Sequence, residues 1–94
     1  MAEDTAVAND PIELARRRMR FRCWHRGTKE LDLLLGRFAD GHAAAMTADQ
    51  VGRFEALLDC PDHDLFAWIT GKAPPPAPHD HDVMALMQNF ISTT

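Results

Sequence analysis

The sequence has few of the features that mark a disulfide scaffold, a membrane protein or an exported protein. It contains two cysteines, Cys23 and Cys60, which are too few for a disulfide framework and lack the spacing of metal ligands. No apolar run approaches the length that a membrane span needs. Residues 1–15 hold no lysine or arginine, whereas secretory signals and mitochondrial transit peptides are positively charged. We therefore predict reduced thiols and no membrane partner, and either a cytoplasmic bacterial location, which we favour, or a mature organellar protein.

The usual signatures of catalysis are missing as well. The sequence shows no Gly-rich phosphate loop, no nucleophile with a base at a recognisable spacing and no cofactor fingerprint. The segment His79-Asp80-His81-Asp82 has metal-binding side chains, but histidines two apart point to different sides of a helix. We interpret that segment as a helix start, and we predict no metal site, no catalytic residue and no enzymatic activity.

The sequence does contain five segments whose apolar residues recur at helical spacing. In chain order their stripes are Ile12, Ala15, Met19 and Cys23; Leu31, Leu34, Leu35 and Phe38; Val51, Phe54 and Leu58; Leu65, Phe66, Trp68 and Ile69; and Val83, Leu86, Met87 and Phe90. No alternating pattern predicts a strand. We predict an all-α fold, a single small five-helix domain with short turns over residues 10–91, preceded by a disordered tail at residues 1–9.

Capping residues predict where these helices begin and end. The first helix starts at Asp10 with Pro11, and the second lies between Thr28 and Gly41. The third starts at a capping box of Thr47 and Gln50 and ends at Pro61, and the fourth lies between Asp62 or Asp64 and Gly71. The fifth is predicted to run from about Asp80. Residues 73–78 form a Pro-rich connector, which we expect to be extended and semi-rigid.

The segment Arg26-Gly27-Thr28-Lys29-Glu30 lies between the first two predicted helices. Glycine adopts a left-handed conformation without strain, so Gly27 is expected to close the first helix. Arg26 would then lie in the last turn of one helix and Glu30 in the first turn of the next. Each charge has the sign that its helix dipole favours. On local grounds alone, the segment is explained by a well-capped corner between two helices.

Charge is distributed unevenly along the chain. Residues 16–29 hold seven of the ten basic side chains and no acidic one, although the whole chain has a net charge of −4. A basic helix on an acidic body suits electrostatic steering toward an acidic partner, although a solvated helix face would have the same pattern. The acidic remainder, with a sequence pI of about 5.6, would repel a nucleic acid, so we predict no nucleic-acid partner.

Three segments together resemble a family of small helical proteins, the flavinylation assembly factors of succinate dehydrogenase, called SdhE in bacteria and assembly factor 2 in mitochondria. The segments are the basic run at residues 16–25, R-G-T-K-E-L-D at residues 26–32 and L-L-D-C-P-D-H-D-L-F-A-W at residues 57–68. The resemblance extends over residues 10–90. It fails in the N-terminal tail and in the Pro-rich insert at residues 74–78.

This resemblance implies that the chain binds the flavoprotein subunit of succinate dehydrogenase, with that of fumarate reductase as a further candidate. The chain would promote covalent attachment of FAD, a cofactor of the partner that this chain does not hold stably. The implied partner contacts are Arg26, Gly27 and Glu30, to which we add the neighbouring Trp24, Arg18 and Arg22. Four residues, Asp62, Asp64, Phe66 and Trp68, match the second signature and are predicted to be helix caps and core. The alternative is an antitoxin-like or other regulatory interaction module.

Overall fold

The computed structural model of the protein describes residues 10–93, which form five α-helices joined by short connections. The helices are α1 (Pro11–Trp24), α2 (Lys29–His42), α3 (Ala48–Leu58), α4 (Asp62–Ile69) and α5 (Asp82–Ser92). Two 3₁₀ turns, Ala43–Ala45 and Ala77–His79, precede α3 and α5. No strand is present in residues 10–93. The prediction of an all-α, five-helix fold is confirmed, while the predicted tail at residues 1–9 lies outside the described residues.

The core forms where α1 packs on α2 and α3, and where α5 packs on α2, α3 and α4. Its largest side chains are Phe38 and Phe54, which meet edge to face with ring centroids 5.5 Å apart. Within residues 10–93 every fully buried side chain in this core is apolar. Removal of apolar surface from water is therefore the main source of stability.

Several predicted caps are confirmed. The carboxylate of Asp10 accepts a hydrogen bond from the Ile12 N–H at 3.1 Å, and Pro11 occupies the first turn of α1. Thr47 and Gln50 form the reciprocal capping box, since each side chain accepts from the other residue's N–H. Gly71 has a φ of +79°, as expected of a glycine that closes a helix.

Other boundary predictions are wrong. Gly41 does not end α2, because its φ is not positive and the helix runs on to His42 and into a 3₁₀ turn. Neither Asp62 nor Asp64 caps α4: the N-cap is Pro61, and the Asp62 carboxylate instead faces Arg26. Leu86 belongs to the apolar stripe of the fifth predicted helix, which would place it in the core, but it is 38% exposed.

The fifth helix begins two residues after its predicted start at about Asp80. Its N-cap is His81, whose Nδ1 accepts a hydrogen bond from the Met84 N–H at 3.2 Å. This bond requires an unprotonated Nδ1. Burial lowers the pKa of the His81 imidazole below its ordinary value, which agrees with that requirement. The residue is therefore a helix cap that is sensitive to acid.

We expect His81→Ser to reduce the loss of stability on acidification. A histidine whose pKa is lowered by folding adds stability above its unfolded pKa of about 6.5 and loses it as pH falls. Serine can accept the same bond and does not titrate. Thermal melting of both proteins between pH 7 and pH 5 should give a smaller fall for the variant. Equal falls would show that His81 protonation does not affect folding.

Candidate partner-binding corner

The corner between α1 and α2 contains the R-G-x-x-E segment. α1 ends at Trp24, and His25 is its C-cap. Arg26 therefore lies beyond the last turn of the helix, whereas the sequence placed it within that turn. The chain leaves the helix there because His25 has φ −132° and ψ 44°. Gly27 follows with φ +105°, a conformation that side chains rarely adopt. Glu30 lies in the first turn of α2, as predicted.

Arg26 fastens this corner to the turn between α3 and α4. Its guanidinium donates to the Leu58 carbonyl, to the Cys60 carbonyl at 2.9 Å and to the Asp62 carboxylate at 2.9 Å. Its backbone N–H donates to Asp32 of α2 at 2.7 Å. The side chain is only 10% exposed. The carbonyls at the end of α3 have no partner within that helix, and the planar guanidinium satisfies two carbonyls of this turn at once.

Arg26 belongs to a row of three arginines, Arg18, Arg22 and Arg26, which are spaced four residues apart. Each of them pairs with an acidic residue that lies 36 or 37 positions later in the sequence. The shortest distances are 2.7 Å from Arg18 Nε to Glu55, 2.6 Å from Arg22 Nη2 to Asp59 and 2.6 Å from Arg26 Nη2 to Asp62. Sequence reasoning assigned all three arginines to a partner, a role that stays a prediction. In this structure their guanidinium groups already have acceptors within the chain.

Trp24 packs against α2 at a glycine. A Cβ added to Gly36 would lie 2.3 Å from the indole Cδ2, so a larger residue cannot occupy that position while the ring is in place. The indole Nε1–H donates to the Asp40 carboxylate at 3.3 Å. Trp24, predicted as a partner contact, therefore has its ring seated within the domain and is partly buried.

We expect Gly36→Ala to destabilise the fold by about 2–3 kcal/mol, because overpacking displaces the indole from α2. Gly52→Ala is the matched control: it also lies within a helix, but an added Cβ meets no atom within 4 Å. That control should be stabilising by about 0.5–1 kcal/mol through helix propensity. Urea unfolding of both variants tests this. A Gly36→Ala protein as stable as wild type would contradict the packing of Trp24.

Beside the corner, α2 and α4 enclose a shallow groove of about 310 Å³. We name it the corner groove, and its lining residues are Thr28, Glu30, Leu31, Asp62, His63 and Phe66. Glu30 is exposed, and its carboxylate makes no hydrogen bond or ion pair with any residue among 10–93. Phe66 is partly buried, and Lys72 lies over its ring at 5.3 Å from the centroid. The groove thus combines an apolar wall with an unpaired carboxylate.

The sequence did not identify His63 as part of this groove, and it described Phe66 only as core. Both residues reach the corner because Arg26 holds the start of α4 against α2. The only signal in the sequence was the D-x-D-L-F segment itself, about thirty residues away from the corner. Asp64, the other acidic residue of that segment, is paired with His63 at 3.3 Å.

Trp68 and the two thiols lie away from the corner groove lining. The Trp68 ring is partly buried and stacks on His79, with centroids 5.6 Å apart.

Both cysteines are free. Cys23 is fully buried, and burial raises the pKa of its thiol to about 12. Cys60 is partly exposed and its Sγ lies 3.4 Å from His79 Nε2, while burial also raises the pKa of this thiol.

Residues 10–93 contain neither a metal-binding cluster nor a helix that could span a membrane. No three side chains of histidine, cysteine, aspartate or glutamate are grouped closely enough to hold a metal ion. None of the helices in the same range is long and apolar enough to cross a bilayer.

The chain was compared with known proteins. Residues 17–91 match the family described as "Flavinator of succinate dehydrogenase". "FAD assembly factor SdhE" of Acetobacter pasteurianus is 42% identical over 72 residues, which cover 77% of this chain and 66% of that protein. "Succinate dehydrogenase assembly factor 2, mitochondrial" is 35% identical over 85 residues in Aedes aegypti, covering 88% of this chain and 53% of that protein. The protein of the same name in Dictyostelium discoideum is 37% identical over 78 residues, covering 83% and 55%.

The chain belongs to this succinate dehydrogenase flavinator family, and the resemblance found in its sequence is confirmed. The matched region spans between about half and two thirds of the length of these relatives.

Proposed function

We propose that this chain is an assembly factor that binds the flavoprotein subunit of succinate dehydrogenase and promotes covalent attachment of FAD to it. Family membership supports the proposal, since the matched relatives are named as FAD assembly factors or succinate dehydrogenase assembly factors. The chain acts by binding its partner and is not itself the enzyme. The flavoprotein subunit of fumarate reductase is a second proposed partner of the same kind. The proposed location of the chain is the bacterial cytoplasm.

The observation that supports a binding role most strongly is the unpaired Glu30 beside the corner groove. Its carboxylate is exposed at the start of α2, while the motif's arginine is held inside the domain. A carboxylate next to an apolar wall suits a partner segment with an arginine or lysine beside an apolar side chain. Because Arg26 fixes the corner, little conformational entropy is lost when the partner binds.

FAD itself is assigned to the partner. One concave region of residues 10–93, of about 680 Å³, is an open trough between α4 and α5 whose lining includes Thr70, Gln88 and Asn89 but no arginine or lysine. The pyrophosphate of FAD is normally held by cationic side chains or a Gly-rich loop at a helix N-terminus. This region does not fit that group, so we propose that the chain binds no FAD stably.

A binding protein can promote a reaction in its partner by orienting the reacting groups. Holding the flavoprotein side chain that becomes linked to FAD close to the flavin, and excluding water, lowers the entropic part of the barrier. A ligand shifts a conformational equilibrium only if it binds one state more tightly. The chain must therefore bind the reactive conformation of the flavoprotein more tightly than the product, which also explains release after attachment.

Co-expression tests the proposal. The flavoprotein subunit is produced in a host that lacks its own assembly factor, with and without this chain, and covalent flavin is measured by in-gel fluorescence. We expect a clear increase in covalent flavin when the chain is present and recovery of a complex by affinity purification. Equal fluorescence in both samples would reject the proposal. It would leave the antitoxin-like alternative, which predicts no effect on flavoproteins.

A further inference from the structure

The outward side of α1 has an unusual composition for an exposed helix. Leu14, Arg17, Phe21 and His25 follow one another at spacings of three or four, so they form one stripe on the helix surface. All four are exposed, with Leu14 at 43% and Phe21 at 64%. Only one other large apolar residue in the described chain is exposed, Leu86 on α5. Two of the three exposed large apolar side chains thus lie on one face of one helix.

The arginines on this side are the ones that the domain does not use. Arg17 and Arg20 are exposed, and their guanidinium groups form no hydrogen bond or ion pair with any residue among 10–93. The other arginines of this region are held by groups within the chain. They are Arg16, Arg18, Arg22 and Arg26. Contacts within the domain therefore engage four of these six arginines and leave only Arg17 and Arg20 without an acceptor among residues 10–93.

Phe21 is also held in place before any partner arrives. Its ring stacks on His25 with centroids 4.0 Å apart and an angle of 17° between the planes. The His25 Nδ1 lies 2.7 Å from the Phe21 carbonyl oxygen, a distance at which a protonated Nδ1 donates to that oxygen. An exposed aromatic ring that is already ordered loses little rotamer entropy on binding, which is typical of an interface anchor.

This surface is continuous with the corner. A small concavity of about 200 Å³ is lined by Phe21, Arg22, His25 and Arg26, and it links the aromatic stack to the R-G-x-x-E segment. From Leu14 to His25 the helix rises by about 16 Å, at about 1.5 Å per residue. One partner can therefore contact the corner and the side of α1 together.

We propose that Leu14, Arg17, Arg20, Phe21 and His25, here named the α1 outer face, form a second docking surface for the same flavoprotein partner. It receives an acidic patch with an apolar side chain at its centre: the apolar side chain packs on Phe21, and carboxylates face Arg17 and Arg20. This inference rests on the proposed function. Since the chain has a net charge of −4, two unpaired arginines on one helix face favour the approach of an acidic patch to that face, which helps to set the orientation of docking.

Other classes of partner suit this face less well. A nucleic acid needs a larger continuous basic surface, and here two unpaired arginines stand beside an acidic body. A bilayer surface needs a broad apolar helix face, whereas the residues of α1 that are fully buried, Met19 and Cys23, point into the core. A protein surface fits one aromatic anchor with flanking charges.

The test measures binding of purified chain to FAD-loaded flavoprotein subunit by biolayer interferometry at several salt concentrations. Phe21→Ala should weaken the affinity about tenfold or more, as expected of an aromatic anchor. The double variant Arg17→Gln/Arg20→Gln should slow association and reduce its salt dependence. Two controls match these changes. Leu86→Ala removes the exposed leucine of α5, and Arg37→Gln removes an exposed arginine of α2.

Both controls should keep the wild-type affinity within about twofold. The inference is overturned if Phe21→Ala binds as wild type, or if the control variants weaken binding equally. It is also overturned if the double variant loses only co-purifying nucleic acid and binds the flavoprotein normally. Wild-type chain that does not bind the flavoprotein at all would instead reject the proposed function, and the second docking surface with it.

Discussion

Arg26→Met should lower the free energy of unfolding by about 2–3 kcal/mol and abolish support of flavinylation. Methionine keeps an apolar stem but leaves the Leu58 and Cys60 carbonyls without the donors that they have in the wild type. Each lost partner costs about 1 kcal/mol, and the ion pair with Asp62 adds less because that carboxylate is 35% exposed and can turn to water. Urea unfolding and in-gel flavin fluorescence measure the two effects.

Arg18→Met is the matched control for this substitution. It removes an exposed pair with Glu55, which is expected to contribute under about 1 kcal/mol. A difference between the two variants therefore isolates the contacts to the turn between α3 and α4. If Arg26→Met unfolds within about 0.5 kcal/mol of wild type, the guanidinium does not hold the corner in place.

Gly27→Arg should leave the domain folded and remove its function. The positive φ of Gly27 costs any side chain about 1–2 kcal/mol. An added Cβ meets no atom of residues 10–93 within 4 Å, so the β-carbon itself causes no steric clash. The new side chain projects outward next to the corner groove and Glu30, where it would keep the partner away. Circular dichroism, thermal melting and flavoprotein binding give the three readouts.

Gly71→Arg is the control, because Gly71 also has a positive φ, +79°, and open space around its Cα. Both variants should lose similar stability from backbone strain, but only the variant at the corner should lose binding. If Gly27→Arg is folded and binds as well as Gly71→Arg, the corner is a structural turn and not a partner contact.

Local sequence signals were sufficient to predict the number of helices and several of their starting residues. Asp10 with Pro11 and the pair Thr47 with Gln50 mark helix starts by chemistry that acts within three residues, and the structure has these bonds. The same reasoning failed at His81, because an imidazole caps a helix only when its environment keeps Nδ1 unprotonated. Leu86 shows a similar limit, since periodicity gives the face of a helix but not how far its neighbours cover it.

The composition of the candidate site depended on contacts between distant residues. Arg18 and Arg22 look like free positive charge until α3 brings Glu55 and Asp59 against them. One signal was present in the sequence: the acidic partners Glu55, Asp59 and Asp62 are four and three residues apart, close to the spacing of four between the arginines. Nothing local distinguishes Gly36 from Gly52, although only Gly36 accommodates an indole ring. The unpaired groups, Glu30 and Arg17, could be recognised only after the paired ones had been identified.

The most direct test of the account uses purified components. Flavoprotein subunit carrying noncovalent FAD is mixed with wild-type chain, with Gly27→Arg or with Gly71→Arg, and covalent flavin is followed over time after denaturing electrophoresis. The account predicts that wild type and Gly71→Arg accelerate covalent attachment while folded Gly27→Arg does not. Equal rates in all three mixtures and in buffer alone would contradict a direct role of the corner in flavinylation.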